Sequence, residues 1–356
     1  ASDVYKRQII AALYPCMFIY DGWLYTESLY TFCLTAFAYT LYHLQSTSRS
    51  GQIPTGQTWF SRTWHVLFTQ RWTILCGILV GLSTLTRPNG ILLVALVALW
   101  AIVVALAKIL PWKVVLKDTI IIACLAAVLV LPWTYRNYRV TQRFVLVSTG
   151  MGEVLKGAYN DVVLNGDPSV RGQWRPPAHS RNHDDTSYTP ANDSEDTATA
   201  LNWVRTHLGA LPYLLGLHFI NMWIPYTYSH GLAFEEPVVS QQTFNTMVAL
   251  IDVTAIFVIT GAVLGLLFTW KQRRQQLLTL YLLLAFTIGQ NIIFYSDMRF
   301  RAPIEPILVL LTGGAFWWFS QRKQQLEQTL SVPDAQTLLQ PAERANPDPA
   351  RPGAQN

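Results

Sequence analysis

Charge is scarce in this sequence. Only 13% of its 356 residues are Asp, Glu, Lys or Arg, against about 25% in soluble domains. Hydrophobic residues make up 51%, and the mean hydropathy is +0.25. This shortage argues against an ordinary water-soluble domain and points to lipid as the solvent. Cysteine is scarce too. Cys16, Cys33, Cys76 and Cys124 all sit in apolar segments and read as small buried hydrophobes. Neither a disulfide framework nor a zinc site fits them. There is no CxxC or HExxH spacing, no internal repeat and no inverted symmetry. The net charge of +5 gives no reason to expect nucleic acid as a partner.

Long apolar runs and aromatic residues are plentiful. The chain holds 13 Trp and 16 Tyr, residue types that gather at bilayer interfaces. A membrane-spanning helix needs about 20 apolar residues. Candidate spans are 24–44, 72–87, 90–109, 118–133, 246–270, 277–295 and 302–320, with 9–20 as the end of an earlier one. The fold expected is an all-α polytopic membrane protein with about seven complete spans. Gly77 and Gly81 form a small-xxx-small face suited to close helix packing.

Residues 3–8, DVYKRQ, match one reading frame of a transposon-end sequencing adapter. The expectation is that 1–8 is an adapter scar, that the authentic sequence starts near Ile9 and that the gene is truncated upstream. The remaining regions are an N-terminal transmembrane region (9–133) lacking its first spans, an extracytoplasmic loop region (134–245), a C-terminal transmembrane region (246–320) and a disordered cytoplasmic tail (321–356). The centre of 134–245 reads as a polar loop without periodicity, and 211–228 as an interfacial or re-entrant helix. Asn192-Asp193-Ser194 matches a glycosylation sequon, a pattern common by chance.

Short-loop Lys and Arg set orientation. Loop 45–71, segment 108–117, loop 271–276 and the residues after the last span are all basic. Counting crossings puts them on one side, expected to be the cytoplasm. The opposite side receives Asp21, Arg87, 134–245 and the stretch SDMRFR (296–301).

Ionisable groups at a membrane edge are costly and tend to persist where they pair or act. Glu27 opens a span, with Thr31 and Thr35 on a polar stripe below it. It reads either as a helix N-terminal anion or as an acid facing a cavity. Asp21 favours the capping reading. Arg87 could snorkel or act. Arg136, Arg139 and Arg143, with Arg299 and Arg301, form two outward clusters. Arginine forks match phosphate oxygens, so the clusters read as ligands for a lipid phosphate or as salt-bridge partners of the long loop. Glu235-Glu236 and His183-Asp184-Asp185 are acid runs that could recruit a cation, although exposed acid runs are usually just solvated, and the requirement for a divalent cation stays open.

The blocks ALYPCMFIYDGWLYTESLY, GILVGLSTLTRPNGILL, LPWTYRNYRVTQRFVLVSTGMGEVLKGAYND and MRFRAPIEPIL resemble, in order over about 9–320, bacterial integral-membrane glycosyltransferases of the GT-C fold. These are relatives of protein O-mannosyltransferases, aminoarabinose transferases and lipopolysaccharide galacturonosyltransferases. The resemblance implies a GT-C helical bundle with an outer-side mixed loop region, in the bacterial inner membrane, with its site facing the periplasm. It implies sugar transfer from a polyprenyl-phosphate donor to a lipid, glycan or protein acceptor. Matching positions are Glu27, Arg87, Arg136, Asn137, Arg299, Arg301 and Pro303, and Asn160 is placed at the cleft. The family's essential carboxylate lies in a first outer loop that this sequence does not contain, so the fragment alone is expected to be inactive. Two other readings stand beside this one: a transporter or flippase of a lipid-linked or anionic substrate, and a non-catalytic membrane scaffold.

Overall fold

The computed structural model describes residues 2–19, 21, 26–46, 59–168, 171–175, 188–224, 240–295 and 297–331, and among the described residues there are helices and no strands. The N-terminal part holds α1 (Ser2–Leu13), α2 (Glu27–Ser46), α3 (Trp59–Thr86), α4 (Leu92–Leu106) and α5 (Trp112–Thr141). A middle group follows: α6 (Met151–Ala158), α7 (Asp161–Asn165), α8 (Pro190–Thr206) and α9 (Leu211–Trp223). The C-terminal part holds α10 (Gln241–Arg273), α11 (Leu278–Phe294), the single turn α12 (Met298–Arg301) and α13 (Glu305–Ser331).

Four of the described helical stretches are long and apolar enough to cross a membrane: Pro88–Leu106, Trp112–Thr141, Gln241–Arg273 and Met298–Glu327. The shortest has 19 residues, about 28 Å at 1.5 Å per residue, close to a hydrocarbon core of about 30 Å. Their outer faces stay apolar: Ile102, Ile120, Val128, Ile256 and Leu267 are all exposed. So many exposed aliphatic side chains on adjacent helices suit lipid rather than water. The chain is thus an all-α protein compatible with integral membrane insertion.

Small residues decide how the helices meet. A Cβ on Gly77 would lie 2.9 Å from Leu125 Cβ, and one on Gly81 would lie 2.8 Å from Leu129 Cδ1. The predicted small-residue face therefore holds α3 against α5, side by side and parallel. α10 and α13 also run parallel, with Val258 beside Thr312 and Arg273 beside Trp317. At one end of the bundle, the Gln45 side chain joins three other elements. Its amide donates to Gln275 O at 2.5 Å, and its oxygen accepts from Trp100 and Thr279. The N-terminus of α2 and the C-termini of α3 and α11 gather at the opposite end. Helix directions read from these contacts alternate as the loop charges predict.

Several boundaries differ from expectation. Spans 24–44, 72–87 and 277–295 fall on α2, α3 and the 17-residue α11, which are not among the four long apolar stretches. α2 carries Glu27, Thr40 and Gln45 inward, which lowers its apolar content. Thr35 is exposed, so the proposed Thr31/Thr35 stripe does not follow Glu27 inward. α5 continues through Pro132 to Thr141, past the predicted stop at 133. Residues 190–206 are helix rather than loop. Thr189 caps α8 by accepting from Asn192 N–H, and Pro190 occupies its first turn, a start signal legible in TPAND. α13 runs to Ser331, inside the expected tail. Cys124 is exposed while Cys16, Cys33 and Cys76 are buried. It sits on α5, where an apolar thiol can face lipid. Residues 183–185, 235–236 and 332–356 lie outside the described residues.

Candidate functional site

Two arginines from distant parts of the chain meet one buried carboxylate. Glu27 is the first residue of α2 and is 1% exposed. Its Oε1 accepts from Arg87 Nη2 at 3.2 Å and from Arg299 Nε. Each arginine is aimed by local chain chemistry. Pro88 keeps Arg87 extended, at φ −141° and ψ 130°, because the residue before a proline is disfavoured in helix. α3 therefore ends at Thr86 and Arg87 turns out of it. Arg299 sits on α12, whose first turn is capped by Asp297 accepting from the Arg299 N–H at 3.3 Å. The Phe300 ring lies beside both guanidiniums, its centroid 5.4 Å from that of Arg87 and 5.7 Å from that of Arg299.

Both arginines line a cleft of ≈ 410 Å³. The turn after Arg87 forms one wall, and the end of α11 with Asn291 and Tyr295 forms another. The third is Ser148 to Val154, which carries Glu153. Gln290 donates to Asn89 O at 3.4 Å and Asn291 to Phe300 O at 3.1 Å, so the walls are joined behind the cleft.

The third wall is placed by the last turns of α5. Residues 143–147 double back along that helix without a strand partner, so their carbonyls need side-chain donors. Asn137 Nδ2 donates to Val145 O at 3.3 Å and to Val147 O at 2.8 Å. Trp133 Nε1 also reaches Val147 O, and Thr134 Oγ1 reaches Leu146 O at 2.8 Å. Beyond this strap, α8 takes hold. Asp193 Oδ1 accepts from Gly150 N–H at 3.1 Å and Gly152 N–H at 2.6 Å, and Lys156 pairs with Asp196 at 2.7 Å. A Cβ on Gly152 would lie 2.1 Å from Asp193 O, so only glycine permits this approach. Tyr188 donates to both aspartates. Burial, then the two carboxylates, push its hydroxyl well above the usual tyrosine range, so it remains a donor. The sequon Asn192-Asp193-Ser194 falls inside α8, with Asp193 occupied in this anchor.

Arg301 sits apart from the cleft lining. It is 0% exposed, its Nε donates to Glu305 Oε1 at 2.6 Å, and its Nη1 donates to Met222 O at 3.0 Å. Tyr14 donates to the other Glu305 oxygen at 2.8 Å. The network binds the Pro15–Met17 turn, α9 and α13 together.

The structure therefore brings Glu27, Arg87 and Arg299 together. The other sequence candidates lie elsewhere. Arg136 is exposed, stacks 5.0 Å from the Trp133 ring and donates to Asn137 Oδ1. Asn137 and Asn160 are both buried. Asn160 caps α7 by accepting from Val163 N–H at 3.0 Å, and its amide donates to the carbonyls of Lys156, Gly157 and Arg175. Asp21 accepts from Ser28. Sequence reading did not single out Ser148, Thr149, Glu153, Asn291 or Tyr295. The first three lie in STGMGE, inside a block already noted for its arginines, but no spacing rule links them to Arg299.

Chemically, the cleft presents two guanidinium groups held side by side, a carboxylate on the wall from Ser148 to Val154 and hydroxyl and amide groups. Guanidiniums fixed by a buried anion suit an anionic ligand, because their geometry is set before binding. Among the described residues no group of three His, Cys, Asp or Glu gathers to hold a metal ion. Comparisons with protein-family models, curated proteins and solved structures find no match for this chain.

Proposed function

We propose that this chain belongs to an integral-membrane glycosyltransferase of the GT-C type, transferring a sugar from a polyprenyl-phosphate donor to a lipid, glycan or protein acceptor. The observation that carries this reading is the cleft where Arg87 and Arg299, both held by Glu27, meet between helix ends. In this reading the cleft faces the periplasm of a bacterial inner membrane, about seven spans cross the bilayer and the C-terminus is cytoplasmic. The ordered sequence blocks support it. A donor phosphate would take the two guanidiniums, which offset the negative charge that grows on the leaving group. The prenyl tail would stay in lipid, and the sugar would lie toward Ser148–Glu153. Glu27, buried behind the arginines, would orient them. Glu153 is the cleft carboxylate able to accept or orient an acceptor proton.

The test has two parts. Binding of polyprenyl phosphate to the purified chain is measured for the wild type and for Arg87→Ala with Arg299→Ala. Transfer of label from a polyprenyl-phosphate sugar is then followed in proteoliposomes holding the protein. Loss of binding in the double variant, together with a glycosylated product, supports the reading. Unchanged binding removes the phosphate role, and uptake of label without any product points instead to a transporter or flippase.

A further inference from the structure

A second cavity lies at the opposite end of the bundle, among α10, α11 and α13. It measures ≈ 290 Å³ and is walled by Leu277, Leu280, Leu310 and Leu311, with Arg273 and Trp317 also lining it. Leu310 is 43% exposed, so the cavity reaches the outer, lipid-facing surface. It is an apolar slot with an arginine beside it.

The aromatic residues here indicate depth. The Arg273 guanidinium lies 5.2 Å from the Trp317 ring, that of Arg322 lies 5.1 Å from Trp318, and Trp270 is exposed. Tryptophan and tyrosine sit at headgroup level in membrane proteins. Arg273 is therefore at the depth of lipid phosphates, with leucines running from it toward the hydrocarbon. The local charge has one sign: 271–276 reads KQRRQQ, without an acid. Arg273 Nη1 donates to Gln276 at 2.8 Å, which steadies the guanidinium and leaves its other N–H groups for a further acceptor. Basic pockets between membrane helices recognise anionic headgroups.

We infer that this slot is a binding site for one anionic phospholipid, its phosphate on Arg273 and one acyl chain lying along Leu277, Leu280, Leu310 and Leu311. The occupant is a lipid of the surrounding leaflet rather than a soluble phosphate, because the walls are apolar and open toward lipid. The site lies at the far end of the bundle from the Arg87–Arg299 cleft and stands independently of the sugar-transfer reading. α10 and α13 pack tightly here, with Gly265 against Leu311 O, so a lipid bound across them would brace the C-terminal part.

The experiment is native mass spectrometry of the detergent-purified chain, titrated with phosphatidylglycerol, phosphatidylcholine and glycerophosphoglycerol. One phosphatidylglycerol is expected to be retained about fivefold more tightly than phosphatidylcholine, and Arg273→Gln to abolish that preference. Arg322→Gln, on the same basic end but outside the slot, should keep it. Glycerophosphoglycerol, a headgroup without chains, should not displace the lipid. Equal retention of the two lipids, equal loss in both arginine variants, or displacement by the bare headgroup would each overturn the site.

Discussion

Arg299 and Arg301 stand two residues apart on α12, and burial separates what they do. Arg299 reaches Glu27 and lines the cleft, while Arg301 is enclosed and paired with Glu305. A buried ion pair adds little net stability, but breaking one side leaves an uncompensated charge at a cost of about 3–5 kcal/mol. Arg301→Met should therefore lower unfolding stability in detergent by that order, and Arg301→Met with Glu305→Leu should recover most of it. Arg299→Lys is expected to leave stability nearly unchanged and to weaken polyprenyl-phosphate binding, because an ammonium cannot reproduce a guanidinium fork. His218 supplies a pH test. It is 0% exposed, and its Nδ1 donates to Ile292 O at 2.8 Å, since a carbonyl can only accept. Burial holds its pKa below the ordinary 6.5, against the raising effect of that hydrogen bond. The folded protein thus favours the neutral ring. Its contribution is complete above pH 6.5 and is lost as pH falls below it. Unfolding followed from pH 7.5 to 5 should show this acid-side loss, and His218→Gln should flatten it.

At the scale of elements, the cleft depends on a strap rather than on a strand. The segment 143–149 has no ladder of its own and is held by Trp133, Thr134 and Asn137. Asn137→Leu should leave the Val145 carbonyl without its side-chain donor, costing about 1–3 kcal/mol. It should also loosen the wall from Ser148 to Val154, read as faster proteolysis within 143–154. Gly152→Val drives a side chain into the α8 backbone. Thermal unfolding should fall clearly, with the α6–α8 pair separating first in hydrogen exchange. The Asn137 pattern was not legible from the sequence, because an asparagine near a helix end reads as a cap or a ligand until the returning chain is seen. α8 was legible in principle, from Thr189, Pro190 and the acidic first turn, but the polar composition around it masked the start signal.

At the scale of the whole molecule, helix directions alternate so that Arg87, Arg143 and Arg299 share one end and Arg273 and Arg274 the other. In a background with the four cysteines replaced, Arg143→Cys and Arg274→Cys should react with a membrane-impermeant maleimide from opposite sides. Labelling of both from the same side would overturn the topology. The loop charges made this alternation readable before any contact was known, since each short basic loop adds independently to the same bias.

The sequence by itself pointed to the broad architecture: scarce charge and long apolar runs are compatible with helices in lipid, where every backbone group must be satisfied within its own segment. It also marked Glu27, Arg87 and Arg299 as costly polar groups, and Gly77 and Gly81 as a packing face. Only the tertiary structure decided which of the polar groups meet. Glu27 lies 60 residues from Arg87 and 272 from Arg299, and no local periodicity encodes such distances. It also separated Arg299 from Arg301, because two residues of helix turn a side chain by about 200°, enough to carry one arginine to the cleft and the other into the core.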